Sequence, residues 1–413
     1  MISLHTSPQD QPGTGDAGGM NVYVLEVAKR LADQGVSVDV FTRCHGDDHP
    51  KVQRIADHSR LIQVQAGPCA HVAKEHLPRL LPGFLDGVLE FAAAEPEDAH
   101  PHGPYDVVHS HYWLSGWVGA RAKEIWGAPL VTSFHTLGKV KNAFKGPDDQ
   151  PEPAARLRGE HGVIRHSDRI LAPTSSEVAN LVGLYGADPG RISIVPPGVD
   201  RSLFVPRDGD AARARLDLGP GPIVLFVGRL QPFKGPQVAI QAFARVATRP
   251  SVPGTATLVI VGGPSGGGAA ELNRLAAEAS ALGVGPRVRF VPPQPHARLA
   301  EFYSAADVVV VPSRSESFGL VALEAQACGR PVVAAAVGGL RHSIVDGVTG
   351  FLVPGHDPEA FADQMAELLE HPHLKRRMGL AAAEHAGRFT WDATAAEIGR
   401  VYREVAHPKA GVA

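Results

Sequence analysis

The stretch Ile223-Val224-Leu225-Phe226-Val227-Gly228-Arg229-Leu230-Gln231-Pro232-Phe233-Lys234-Gly235 holds a complete strand-to-loop transition. An unbroken apolar run rich in β-branched side chains reads as a strand buried on both faces. Gly228 ends it, a loop with two cations follows, and 236–247 reads as an amphipathic helix. The unit then recurs. Apolar runs at 256–261, 288–291, 307–311 and 331–335 alternate with helical stretches that include 269–282 and 320–327. Repeated β/α units build a doubly wound parallel sheet, which binds ligands beyond the carboxyl ends of its strands.

The same alternation runs upstream. Strands are expected at 1–4, 36–42, 61–66, 106–109, 129–134, 169–173 and 191–195, with helices at 22–32, 78–94, 114–125 and 154–166. Ser175-Ser176-Glu177 opens another helix in capping style. The stretches 95–104 and 138–153, rich in proline and charge, read as loops. Residues 196–221 read as an interdomain connection, and Asp208-Gly209-Asp210 within it as a solvated linker rather than a metal-binding acid pair. The fold class is therefore α/β, with two Rossmann-like domains at 1–200 and 201–390 facing across a cleft, and a last helix at 391–406 packing back on the first. The opening strand has four residues where about five or six are usual, so the native chain is expected to begin slightly earlier.

Composition excludes some functions. A net charge of −3 over 413 residues gives no global attraction to nucleic acid or an anionic membrane, so any anion site must arise from local placement. No apolar run approaches the roughly 20 residues of a membrane span. Cys44, Cys69 and Cys328 are widely spaced and odd in number. That reads as neither a disulfide framework nor a metal site, and fits a reducing cytoplasm.

Three places carry chemistry. Arg229 and Lys234, on a loop at a strand's carboxyl end, can reach one diphosphate, the arginine as a planar fork and the lysine as a mobile point charge. In Ser315-Glu316-Ser317-Phe318-Gly319-Leu320, Glu316 sits in the loop while Glu324 lies in the second turn of the following helix, each suited to sugar or ribose hydroxyls. The amides of 318–320 suit a phosphate. The third is His5-Thr6-Ser7-Pro8 running through Gly13 to Asn21, where a strand hands over to a helix across bare glycine backbone. Its spacing is not the dinucleotide fingerprint.

Together, Glu-x7-Glu, Gly-Arg-Leu-x-x-x-Lys-Gly and the Gly-Gly helix start resemble the retaining glycosyltransferases of family 4 (GT4, GT-B fold). The resemblance spans essentially the whole chain. It implies a hexosyltransferase with a nucleotide-sugar donor on the second domain and an acceptor on the first. His109 to Gly116 and Gly262-Gly263-Pro264-Ser265 narrow it to members that transfer N-acetylglucosamine from UDP-GlcNAc to 1D-myo-inositol 3-phosphate, the first step of mycothiol biosynthesis. Carried over residue by residue, it assigns Gln11, Pro12, Gly19, Arg229, Lys234, Glu316 and Glu324 to the donor. His5, Asp16, Ala17, Gly18, Gly19, Met20 and Asn21 would surround the acceptor, and Lys74, Tyr112, Thr136 and Arg156 would hold its phosphate. Arg229, Lys234, Glu316 and His135 would be catalytic. No cofactor is required for catalysis; a structural Mg2+ on backbone near Tyr303, Ser304 and Ala306 is implied by the family alone. The resemblance leaves a homodimer open. Alternatives are a family 4 enzyme with another acceptor, a sugar phosphate or natural-product aglycone, and a nucleotide-sugar epimerase on the same scaffold.

Overall fold

The computed structural model describes residues 1–46, 50–94, 103–146, 150–264 and 268–406. In the first domain, β1 (Val38–Arg43), β2 (Val52–Ala56) and β3 (Ser59–Val64) precede β4 (Val108–His111), β5 (Leu130–Ser133), β6 (Arg169–Ala172) and β7 (Ile192–Ile194). The opening residues stitch these strands into one layer. Ile2 bridges Phe41 of β1 on one side and Ser110 of β4 on the other, giving the order β2-β3-β1-Ile2-β4-β5-β6-β7. All pairs are parallel except β2 with β3. The antiparallel β2 was not expected: exposed Val52 and Arg54 alternate with half-buried side chains at a sheet edge.

The second domain contains β8 (Ile223–Val227), β9 (Thr257–Val261), β10 (Val288–Val291), β11 (Val308–Val311), β12 (Val332–Ala335) and β13 (Gly350–Val353) in the order β10-β9-β8-β11-β12-β13, all parallel. Val308 to Val311 are buried throughout, as a central strand with helices on both faces requires. Strand order reverses between β8 and β11, so the loops after these two strands open the crevice where doubly wound sheets bind ligands. In the first domain the same reversal falls between the Ile2 segment and β4, whose following residues are His5 and Tyr112.

The helix Trp391–Ala406 crosses back to the first domain. Trp391, Ala395, Ile398 and Val401 pack into one apolar cluster with Tyr23, Val27 and Leu31 of the helix Gly19–Asp33, and Thr394 Oγ1 donates to Pro196 O at 2.8 Å.

Two expectations are corrected. The 196–221 connection contains a helix, Gly209–Leu216, and Asp208 is its N-cap, accepting from the amides of Asp210 and Ala211. A carboxylate spent on free helix-start amides explains the Asp-x-Asp pattern without a metal or an unstructured linker. Cys44 and Cys69 are paired in a disulfide, with Cα atoms 5.1 Å apart. They follow β1 and β3, neighbouring parallel strands, so the two exits emerge side by side; a separation of 25 residues hid this. Part of the expected 95–104 loop, part of 138–153, and Ser265 lie outside the described residues. Among those described, no helix is long and apolar enough to cross a membrane.

Candidate active site

On the first domain the site is built by two strained turns. Tyr112 directly follows β4 and takes φ +74°, and His135 lies just beyond β5 at φ +60°. Non-glycine residues in this region cost about 1–3 kcal/mol each unless their surroundings over-determine them. The turn at Tyr112 presents its ring to two cations: Lys74 Nζ lies 4.6 Å from the ring centroid and the Arg156 guanidinium carbon 5.0 Å. His5 packs against the same ring at 4.6 Å. Arg156 Nη2 donates to Thr136 O and Oγ1 at 3.1 and 3.0 Å. The sequence-predicted quartet Lys74, Tyr112, Thr136 and Arg156 thus converges in space.

Its electrostatics favour an anion. Burial lowers Lys74 from the ordinary lysine value to about 8, with Arg156 and Arg229 adding repulsion and Asp16 opposing. Among the described residues Lys74 has no carboxylate within salt-bridge distance. Burial depresses His5 far below the usual histidine range, and the Lys74, Arg229 and Arg156 charges depress it further; its Nδ1 is buried without a partner. His135 is likewise pushed down to about 3 by burial. It is a neutral ring at physiological pH, paired through Nε2 with His111 Nδ1 at 3.0 Å.

Across the cleft, Lys234 Nζ donates to Glu316 Oε1 at 2.6 Å, and Ser313 Oγ donates to the same oxygen at 2.9 Å. Arg229 Nη1 lies 3.8 Å from Asp16 Oδ1 of the first domain. Gly319 begins the helix Leu320–Ala327 at φ +97°, and no side chain caps it; a Cβ there would lie 2.6 Å from Leu340 Cδ2. Its first amides are therefore available to a phosphate. Glu324 is buried and accepts from Tyr303 Oη at 2.7 Å, and burial raises its carboxyl above the ordinary value.

The glycine-rich loop is the seam. Gln11 Nε2 donates to Gln294 O of the second domain at 2.7 Å, beside Pro12. Gly13, at φ +92°, comes against Pro293. Gly19 faces Leu320, and Gly18 lies near Arg229. Ala17 is buried, and Met20 packs on both apolar clusters of the first domain. Asn21 has no exposed surface, and its amide is spent within the loop, accepting from Gly18 N at 2.9 Å and donating to Thr6 Oγ1 at 2.8 Å and Ser7 O at 2.5 Å. It shapes the loop. Near the backbone expected to hold Mg2+, Ala305 O accepts from Arg213 Nε at 2.9 Å.

Sequence reasoning missed several residues. Ser317 Oγ donates to His135 O at 2.5 Å, closing the two domains on each other. Near it Glu177 is buried and pushed up to about 7 by burial, with a hydrogen bond from Ser317 opposing. Glu152 and Glu160 both pair with Arg156. Their i,i+4 spacings from Arg156 were readable signals. The Ser317 contact left none.

Residues 17–203 match the model of "Glycosyltransferase Family 4" and residues 208–385 that of "Glycosyl transferases group 1". The D-inositol 3-phosphate glycosyltransferase of Streptosporangium roseum is 51% identical over 97% of this chain and 92% of its own length. D-inositol 3-phosphate glycosyltransferase 2 of Catenulispora acidiphila is 52% identical over 97% and 93%. Among solved structures, sucrose-phosphate synthase from Thermosynechococcus elongatus superposes with a TM-score of 0.89 at 35% identity, covering 98% of this chain and 97% of its own. Anabaena HepE, solved with UDP-glucose, shares the fold at a TM-score of 0.75 and 22% identity, over 97% of this chain and 98% of its own.

Proposed function

We propose an activity from one premise: the chain belongs to the D-inositol 3-phosphate glycosyltransferases, within glycosyltransferase family 4. It transfers N-acetylglucosamine from UDP-GlcNAc to 1D-myo-inositol 3-phosphate with retention, the first step of mycothiol biosynthesis. The observation that carries the acceptor assignment is the pair of cations on the Tyr112 ring. Lys74 is desolvated there without a carboxylate partner among the described residues, and Arg156 stands on the same ring. A half-buried cation outside any ion pair loses part of its hydration without compensation, and a phosphate resolves that cost. Thr136 Oγ1 accepts from Arg156 and keeps its own proton to donate to the phosphate.

Arg229, Lys234 and the amides ahead of Leu320 receive the donor diphosphate. As the bond from the sugar C1 to the diphosphate oxygen breaks, its electron pair stays on the leaving UDP, where these groups stabilise it. The acceptor hydroxyl attacks C1 from the face that UDP leaves, and its proton passes to the departing phosphate oxygen. Glu316 and Asp16 are each held by a cation of this set, so neither is presented as a free nucleophile. The neutral His135 contributes a dipole rather than a charge. Domain closure through Gln11 and Ser317 excludes water that would hydrolyse the donor.

The test is UDP-GlcNAc offered with inositol 3-phosphate, inositol and a panel of sugar phosphates. Product from inositol 3-phosphate with an α linkage supports the assignment. Equal turnover of unphosphorylated inositol contradicts it.

A further inference from the structure

The guanidinium of Arg156 is held by two carboxylates in different settings. Glu160, one helical turn on, has no exposed surface. It accepts from Arg156 Nε at 2.8 Å, from Gly138 N at 3.0 Å and from the Tyr185 hydroxyl. Gly138 opens the helix Gly138–Ala143 just after Thr136, so one carboxylate fixes both the arginine and the turn that carries the threonine. Glu152 is different. It sits ahead of the helix Ala154–His166, its side chain is 17% exposed, and its carboxylate bridges Arg156 Nη1, at 2.9 Å, and Lys141. Its backbone amide is tied to Asn142 Oδ1 at 2.7 Å.

An arginine has five N–H donors. Nε is spent on Glu160, both hydrogens of Nη2 on Thr136, and one of Nη1 on Glu152. The edge left for an incoming anion is Nη1, where Glu152 already lies. A phosphate dianion and a carboxylate on one nitrogen repel each other, while the two cations under Glu152 suit a phosphate equally well.

We propose that these carboxylates have opposite jobs: Glu160 is a positioning residue that holds Arg156 in place, and Glu152 is a stand-in anion that the acceptor phosphate displaces. The inference rests on Arg156 as the ligand of the acceptor phosphate. Glu160, enclosed and triply bonded, stays through the cycle. Glu152 keeps Arg156 and Lys141 neutralised between turnovers and gives both up when the acceptor arrives.

Opposite jobs predict opposite signs. The full-length Glu152→Gln and Glu160→Gln variants are titrated with inorganic phosphate by calorimetry, and KM and kcat are measured for inositol 3-phosphate. Glu152→Gln should bind phosphate about tenfold more tightly and lower the acceptor KM by a similar factor, with kcat nearly unchanged. Glu160→Gln should weaken phosphate binding and raise KM by about tenfold, with the UDP-GlcNAc KM unmoved. Should Glu160→Gln fail to fold, Glu152→Gln decides alone. Phosphate binding by Glu152→Gln that is unchanged or weaker overturns the proposal. Tighter phosphate binding without turnover of inositol 3-phosphate by the unaltered enzyme would uphold the displacement and reject the acceptor assignment.

Discussion

The two sides of the cleft handle cations differently. On the second domain the cations lie beside carboxylates on open loops: Lys234 on Glu316 at 2.6 Å and Arg229 near Asp16 at 3.8 Å. On the first domain Arg156 is gripped by Glu152 and Glu160, while Lys74 lies over the Tyr112 ring with no carboxylate within salt-bridge distance among the described residues. A diphosphate that gains charge as it leaves is served by cations that can exchange partners. An acceptor phosphate that does not react needs a site already shaped, with Arg156 fixed by Glu160 and Lys74 left outside any ion pair. The difference separates a catalytic electrostatic device from a recognition device, and it can be tested from either side.

Arg229→Ala should do the most damage, lowering kcat by about 10²–10³-fold while the melting temperature stays put, since a donor aimed at developing charge is lost. An acceptor KM that changes instead of kcat would erase the distinction. Tyr112→Leu removes the ring on which Lys74 and Arg156 both lie and should raise the acceptor KM by about tenfold, leaving the UDP-GlcNAc KM alone. The pH profile sharpens the same point. Lys74 is lowered to about 8, so its ammonium, which binds phosphate, is complete below that value and lost above it. Acceptor kcat/KM should be level to about pH 7 and fall by about tenfold per unit above pH 8. Lys74→Arg, which keeps its charge, should abolish that fall. Ser317→Ala, which cuts one contact between the domains, should have the smallest effect, raising both substrate KM values by about threefold.

Much of the fold was legible because its strands are buried on both faces. β8 and β11 fall where the apolar runs stand, as do the helices Ala154–His166, Leu320–Ala327 and Trp391–Ala406. The failures have local causes. β13 begins at Gly350 and has four residues; β2 is an edge strand with no buried side chain; the helix Gly209–Leu216 lies in a stretch of charge and glycine where only Asp208 announces it. At the site, the quartet around Tyr112 was readable through family resemblance, since its members come from four separate loops or helices. Ser317 was not, and of Glu160 only the i,i+4 spacing to Arg156 was. Their roles depend on groups brought together by tertiary structure: Gly138 N and the Tyr185 hydroxyl in one case, a backbone carbonyl of the opposite domain in the other.

The claim that the first-domain pair of cations exists to read the acceptor phosphate is tested most directly by the ratio of kcat/KM for inositol 3-phosphate to that for inositol, in the unaltered enzyme and in Lys74→Met. The account predicts a large ratio that collapses by about 10²-fold in the variant, because the phosphorylated substrate loses its half-buried cation and inositol has nothing to lose. A ratio near unity in the unaltered enzyme, or one that survives the loss of Lys74, would contradict it.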